Sequence, residues 1–246
     1  FVHLPLILNE ERAKLSKRHG AVSVEEFRER GYLPQALLNF IALLGWNPGD
    51  DREVLSLEEM VDEFRFERVS KSGAVFDREK LNWMNQQYLL KLPEEEYFRM
   101  IDDVIQKGDY HDQDPGKIRQ AAEILKTRLV TLSDLNQKLG LFFEENPEIK
   151  DLQAIEVLKE ENSKTVLKEF LQQAENLDQL TSENLGQLVK SVQKSTGIKG
   201  RGLWMPLRCA ITREVSGPEL PAMLDFFGGE KCLHLIRQTL ENPSLN

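Results

Sequence analysis

Apolar residues recur at three- and four-residue intervals along most of this chain, and polar caps or prolines open the runs. Ser23 with Glu26 forms a capping-box pattern for a short helix ending at Gly31. Pro34 then starts a helix whose Leu37, Leu38, Phe40, Ile41 and Leu44 read as core, stopped by Gly45. Ser56 and Glu59 repeat the box ahead of Leu57, Met60, Val61 and Phe64. Val75-Phe76 reads as a short extended piece, and Asp77 caps a helix through Leu81, Met84, Tyr88 and Leu89. Pro93 opens a second unit with Phe98, Ile101, Val104 and Ile105 at helical spacing. Asp114-Pro115 leads a helix through Ile118, Ala122, Leu125 and Leu129, and Ser133 to Leu139 supplies another, ended by Gly140.

The polar stretch Glu144-Glu145-Asn146-Pro147 is the best joint between units. Beyond it, helices are predicted near 151–159, 163–176 and 182–196, followed by the loop 197–202. Pro206 is expected to open a short helix containing Arg208, with closing helices over 218–227 and 230–240. The apolar run Phe1 to Leu8 reads as a strand entering a loop. No strict alternation and no Asn-Gly hairpin turn marks the last two thirds. The expected class is mainly α, with minor β near the N-terminus. The expected domains are 1–95, 96–150 and 151–246.

The 246 residues can bury sizeable cores, and 40% hydrophobic with 30% charged content reads as folded. No run approaches the ~20 apolar residues of a membrane span, and Phe1–Leu8 lacks the features of a signal peptide. Cys209 and Cys232 are too few for a disulfide scaffold, which favours two reduced, buried thiols. A net charge of −9 excludes indiscriminate polyanion binding, yet the charge is unevenly spread. No acid lies between Glu11 and Glu25, where Arg12, Lys14, Lys17 and Arg18 stand. None lies between Glu183 and Glu214, where Lys190, Lys194, Lys199, Arg201, Arg208 and Arg213 stand. Two basic islands in an acidic chain fit a protein that grips one polyanion at set places.

The first island carries candidate chemistry. Lys14-Leu15-Ser16-Lys17-Arg18-His19-Gly20 places three fixed cations within five residues, with a hydroxyl at Ser16 and a glycine at its end. Such a loop suits a polyphosphate, because cations can meet charge that grows on a leaving group. Taken alone, a solvated surface loop is the competing reading.

With Gly31-Tyr32-Leu33-Pro34 through Leu44-Gly45-Trp46, Phe76-Asp77 and Lys80-Leu81-Asn82-Trp83-Met84-Asn85, the loop resembles class I aminoacyl-tRNA synthetases of the bacterial glutamyl type. Lys14 to Arg18 is similar to the second signature of that class, KMSKS, with Leu15 for methionine and Arg18 for the last serine. The family's first signature, HIGH, is absent, so the chain is expected to be a C-terminal half. The resemblance implies ATP-dependent attachment of glutamate to tRNA(Glu) through a glutamyl-adenylate, in a cytoplasmic monomer that contacts no membrane. Mg2+ would accompany ATP, and the chain itself would hold no metal. It implies catalytic roles for Lys14, Ser16, Lys17 and Arg18, with Lys17 against the ATP phosphates. Alone, the chain is expected to be inactive.

The same resemblance implies a helical stem-contact unit followed by a two-part all-helical anticodon-binding region. Arg128, in Leu125-Lys126-Thr127-Arg128-Leu129, occupies the place of one base-contacting arginine. Leu207-Arg208-Cys209-Ala210-Ile211-Thr212 matches the segment that carries a second. The Thr-Pro-Gly-Leu-like turn beyond it corresponds to Gly217-Pro218-Glu219-Leu220, so Pro218 and Leu220 carry over. Gly217 lacks the hydroxyl, Glu219 adds a negative charge, and Arg213 stands where glycine is usual. Arg128 could instead bond helix-end carbonyls. Trp46, Trp83 and Trp204 read as core or contact residues rather than stacking platforms. Lys199 and Arg201, between glycines, suit phosphate contacts better than base contacts. His3 reads as packed beside the strand and His19 as a loop residue, while His111 and His234 lack partners at ligand spacing. Two alternatives stay open: a stand-alone tRNA-binding module, and a relative of glutaminyl-tRNA synthetase, whose β-barrels the helical pattern disfavours.

Overall fold

The computed structural model describes residues 6–15 and 23–245. Their elements are almost entirely helical. The two strands, β1 (Ile7–Leu8) and β2 (Ala74–Val75), pair in parallel, with Ile7 opposite Ala74 and Leu8 opposite Val75. The expected extended pieces at both ends of that pair are therefore one small sheet. The chain divides into two compact units, Phe1–Asp114 with Leu125–Gln137, and Pro115–Ile124 with Lys138–Asn246.

The first unit holds α1 (Val24–Glu29), α2 (Pro34–Gly45), α3 (Leu57–Glu63), α4 (Arg78–Lys91) and α5 (Glu94–Ile105). The caps act as their residue types dictate. The Ser56 and Glu59 box is complete, and Asp77 accepts the Lys80 amide at 2.9 Å. Ser23 caps α1, but the Glu26 carboxylate turns to Arg30 at 2.5 Å instead of closing a box. Phe27, Leu37, Phe40, Leu81 and Met84 form the core, with Phe76 edge-on to Phe40 at 5.0 Å. A second cluster joins Trp46, Leu55 and Met60.

Two buried asparagines fasten the helices to connecting segments. Asn39 Oδ1 accepts the Leu55 amide at 2.9 Å and the Tyr88 hydroxyl at 2.9 Å, while Asn85 Oδ1 accepts the Leu33 amide at 2.8 Å. Part of the apolar pattern points outward instead. Leu38 and Ile41 on α2, and Leu57, Val61 and Phe64 around α3, are exposed. Each helix turns one apolar stripe onto the core, and the second apolar row stays uncovered.

The second unit contains α6 (Pro115–Leu125, its last residue excepted), α7 (Asp134–Phe143, from Lys138 onward), α8 (Leu152–Lys159), α9 (Glu161–Ala174), α10 (Ser182–Thr196), α11 (Arg201–Thr212), α12 (Leu220–Phe227) and α13 (Gly229–Glu241). Helix α9 packs against α10, α11 and α13, burying Val166, Leu167 and Phe170. Phe142 meets Phe226 edge-on at 4.8 Å. Asp151 caps α8 through its Oδ1 and accepts the Val215 amide on Oδ2 at 2.9 Å.

Three predicted boundaries are corrected. The helix from Pro115 stops at Leu125 and tightens into a 3-10 turn over Lys126–Arg128, instead of running through Leu129. Gly140 does not end its helix, which continues to Phe143 because Phe142 finds a buried partner. Pro206 lies inside α11 instead of opening it. The proline forfeits one backbone hydrogen bond, to the Gly202 carbonyl, yet burial of Leu203 and Leu207 on either side holds the helix together.

Candidate nucleic-acid interface

The first basic island begins in a tight backbone loop. Asn9 donates its amide to the Ala13 carbonyl at 2.8 Å, and its side chain accepts the Ala13 amide at 2.8 Å. Arg12 takes the left-handed conformation, with φ at 60°. The loop returns the chain beside β1, where Lys14 bridges Leu8 and the Leu15 amide reaches the Ile7 carbonyl at 2.9 Å. Lys14 is exposed. Ser16, Lys17, Arg18 and His19, like His3, lie outside the described residues.

Arg128 ends the 3-10 turn that follows α6, and it is half-buried with a polar or ionic partner. Side chains of α4 pin this segment. Gln86 donates to the Thr127 carbonyl at 2.9 Å and Asn85 to the Val130 carbonyl at 2.5 Å. Asp134 accepts the Val130 and Thr131 amides at 3.0 and 2.8 Å. The Lys126 ammonium stands over the Tyr97 ring, 4.6 Å from its centroid. Arg128 is thus carried on a backbone held from both sides, which is what a positioned guanidinium needs.

In the second unit a pocket of about 670 Å³ opens between α10, α11 and the start of α12. Arg208 and Trp204, one helical turn apart on α11, share it with Met205, Arg201, Glu219 and Leu220. The Arg208 side chain keeps 26% of its surface accessible and pairs with the Glu219 carboxylate at 2.9 Å. Trp204, read from sequence as a core or contact residue, is 44% exposed at the pocket wall, and Trp83 is exposed as well. Trp46 is buried. Leu220 lines the pocket from a buried position at the start of α12. Pro218 is buried and does not line it; Pro221, which sequence reasoning passed over, does. Its only signal was the second proline of Pro218-Glu219-Leu220-Pro221, placed at the first turn of a helix.

The basic island around the pocket is not uniform. Lys190, Lys194, Lys199 and Arg201 face solvent. Arg213 does not: it is 6% exposed and closes α11 in the left-handed conformation, with φ at 64°. Its Nη1 donates to the Ala210 carbonyl and to Thr239 Oγ1 at 2.8 and 2.7 Å, and its Nη2 donates to Gln238 at 3.1 Å. Its Nε has no acceptor among the described residues. Burial pushes this guanidinium down to about 10, still cationic at neutral pH. Arg213 is therefore an internal clamp between α11 and α13 and leaves the surface island.

Among the described residues no group of three or more histidine, cysteine, aspartate and glutamate side chains could hold a metal ion. Among them, no helix is long and apolar enough to cross a membrane. Cys209 and Cys232 are buried free thiols, each pushed up to about 12 by burial.

Residues 84–240 match the family described as anticodon binding domain, and residues 1–83 match the catalytic domain of class I (E and Q) tRNA synthetases. The chain is 37% identical over 248 residues to a glutamate–tRNA ligase of Clostridioides difficile, covering 98% of this chain and 50% of that protein. It is 39% identical over 257 residues to the glutamate–tRNA ligase of a Listeria monocytogenes serovar 1/2a strain, covering 98% and 51%. Among solved structures, a glutamate tRNA ligase from Elizabethkingia meningosepticum in complex with its amino acid superposes with a TM-score of 0.71 at 29% identity, covering 98% and 51%. The chain spans about half the length of the curated relatives it matches.

Proposed function

From the premise that this chain belongs to the anticodon binding domain family, preceded by the class I (E and Q) synthetase match, we propose that it serves ATP-dependent attachment of glutamate to tRNA(Glu). In this reading residues 1–95 supply the KMSKS-like loop and a stem contact, while 96–150 and 151–246 form two helical anticodon-binding subdomains. The protein works as a cytoplasmic monomer. The observation that carries the reading is the pocket on α11. It sets a half-buried arginine beside an exposed tryptophan in a chain of net charge −9. Unstacked bases need that combination: a flat apolar face and a donor for a base edge.

The roles divide by the chemistry each group offers. Lys14, Ser16, Lys17 and Arg18 form the catalytic loop, with Lys17 against the ATP phosphates, where cations stabilise the charge of departing pyrophosphate. ATP arrives with its Mg2+ as substrate, and glutamate is activated as the adenylate. Arg208 and Leu220 contact one anticodon base, Arg128 another, and Pro218 shapes the base-contacting turn between α11 and α12. Anticodon bases of tRNA(Glu) are read by helices here, in contrast to the β-barrels expected of a glutaminyl enzyme.

The test is binding of a labelled anticodon stem-loop of tRNA(Glu) to the 246-residue chain, followed by anisotropy. Arg208→Ala is expected to weaken binding by about tenfold or more, the scale of one good base contact. Equal affinity of the variant and the parent overturns the reading. Charging of purified tRNA(Glu) and tRNA(Gln) by a chain that includes the missing half tests the reaction itself.

A further inference from the structure

Four charged side chains line the α11 pocket: Arg201 and Arg208, with Glu183 and Glu219. The lining is thus electrically balanced, although no acid occurs between residues 183 and 214. A site built for a phosphate would keep its cations unopposed. The Arg208 Nη2 is engaged at 2.9 Å by Glu219, whose own side chain is 69% exposed at the rim. No acceptor among the described residues meets its Nε or Nη1. Beside this pair lie the exposed face of Trp204 and the apolar side chains of Leu185, Met205 and Leu220.

We propose that Glu219 is a specificity-determining residue of this pocket: its carboxylate balances Arg208, so the pocket accepts the neutral edge of a nucleobase and turns away phosphate. The inference rests on the RNA-binding reading above and deepens it. A base edge carries both amino or imino donors and carbonyl or ring-nitrogen acceptors. The carboxylate accepts from the former while the guanidinium donates to the latter. A phosphate oxygen has only acceptors to offer. Approaching Arg208, it would meet the Glu219 carboxylate at close range with nothing to donate. Selectivity of this kind comes from a repulsive group as much as from an attractive one.

The experiment uses Glu219→Gln in the 246-residue chain, a near-isosteric change of a side chain that is 69% exposed. Calorimetry with tripolyphosphate, no RNA present, is expected to show binding by the variant at least about fivefold tighter than by the parent, since removing one opposing charge unmasks the cation. Anisotropy with two stem-loops, one with the tRNA(Glu) triplet and one with the triplet replaced, is expected to show discrimination falling by about fivefold or more. That loss should come from tighter binding of the replaced triplet, with a salt slope steeper by about 0.7 for the added phosphate contact. Unchanged tripolyphosphate binding overturns the proposal, as does an equal loss of affinity for both stem-loops. Arg208→Ala separates the two readings. If that variant binds the tRNA(Glu) stem-loop as the parent does, the anticodon assignment fails, while the tripolyphosphate result still decides the charge balance.

Discussion

The side chain of Thr212 fills the space that a side chain at position 217 would need. A Cβ built on Gly217 would overlap Thr212 Oγ1 and Cβ, and no flexible side-chain end is available to yield. The Thr212 hydroxyl donates in turn within its own turn, near the Arg208 carbonyl at 2.8 Å and the Glu214 carbonyl at 3.0 Å. The hydroxyl missing at position 217 is thus matched by one packed against it from α11. Gly217→Thr is expected to destabilise the chain by about 2 kcal/mol, the usual scale of overpacking, without strengthening RNA binding. Urea unfolding with a parallel stem-loop titration checks both halves.

Arg213 occupies a backbone conformation that ordinarily calls for glycine, and the cost is offset by three hydrogen bonds, two of them buried. Arg213→Gly relieves about 1 kcal/mol of left-handed strain while losing those bonds. Arg213→Ala loses the bonds and keeps the strain. The alanine variant is therefore expected to be less stable than the glycine variant by about 1 kcal/mol in urea titration. Equal stabilities would refute the strain argument.

Lys17→Ala, in a chain carrying the missing half, is expected to slow adenylate formation by about a hundredfold, the scale of losing one transition-state charge contact. Pyrophosphate exchange measures it. A rate near the parent's would remove Lys17 from the phosphate site.

Burial disfavours the thiolate and pushes both Cys209 and Cys232 up to about 12 from an ordinary 9.0. A thiol reagent at pH 8 should leave the folded chain unlabelled and label both residues once it is unfolded. The stability consequence follows from linkage. The folded chain keeps protons that the unfolded chain releases above pH 9, so stability falls as pH rises from 9 toward 12 and is unaffected below about 8. Melting temperatures across that range test the sign.

Local chemistry was enough to place most helices. Ser56 with Glu59, Asp77 and Pro34 each set an element start that the chain adopts, because capping satisfies amides within one turn and needs no distant partner. Where prediction went astray, burial against other segments intervened. Gly140 was carried through a helix by the packing of Phe142 on Phe226, and Pro206 by the buried leucines on either side of it.

The sequence by itself determined the helical class and the two basic islands, since period, caps and charge are properties of neighbours along the chain; Arg128 and Arg208 were singled out by the family resemblance. Only the tertiary structure decided which of those cations reach solvent. Arg213 and Arg208 lie five residues apart in one acid-free stretch, yet one clamps α13 in the interior and the other faces a pocket against Glu219. Burial depends on which helices close over a side chain, and that is settled by packing between segments far apart in the chain.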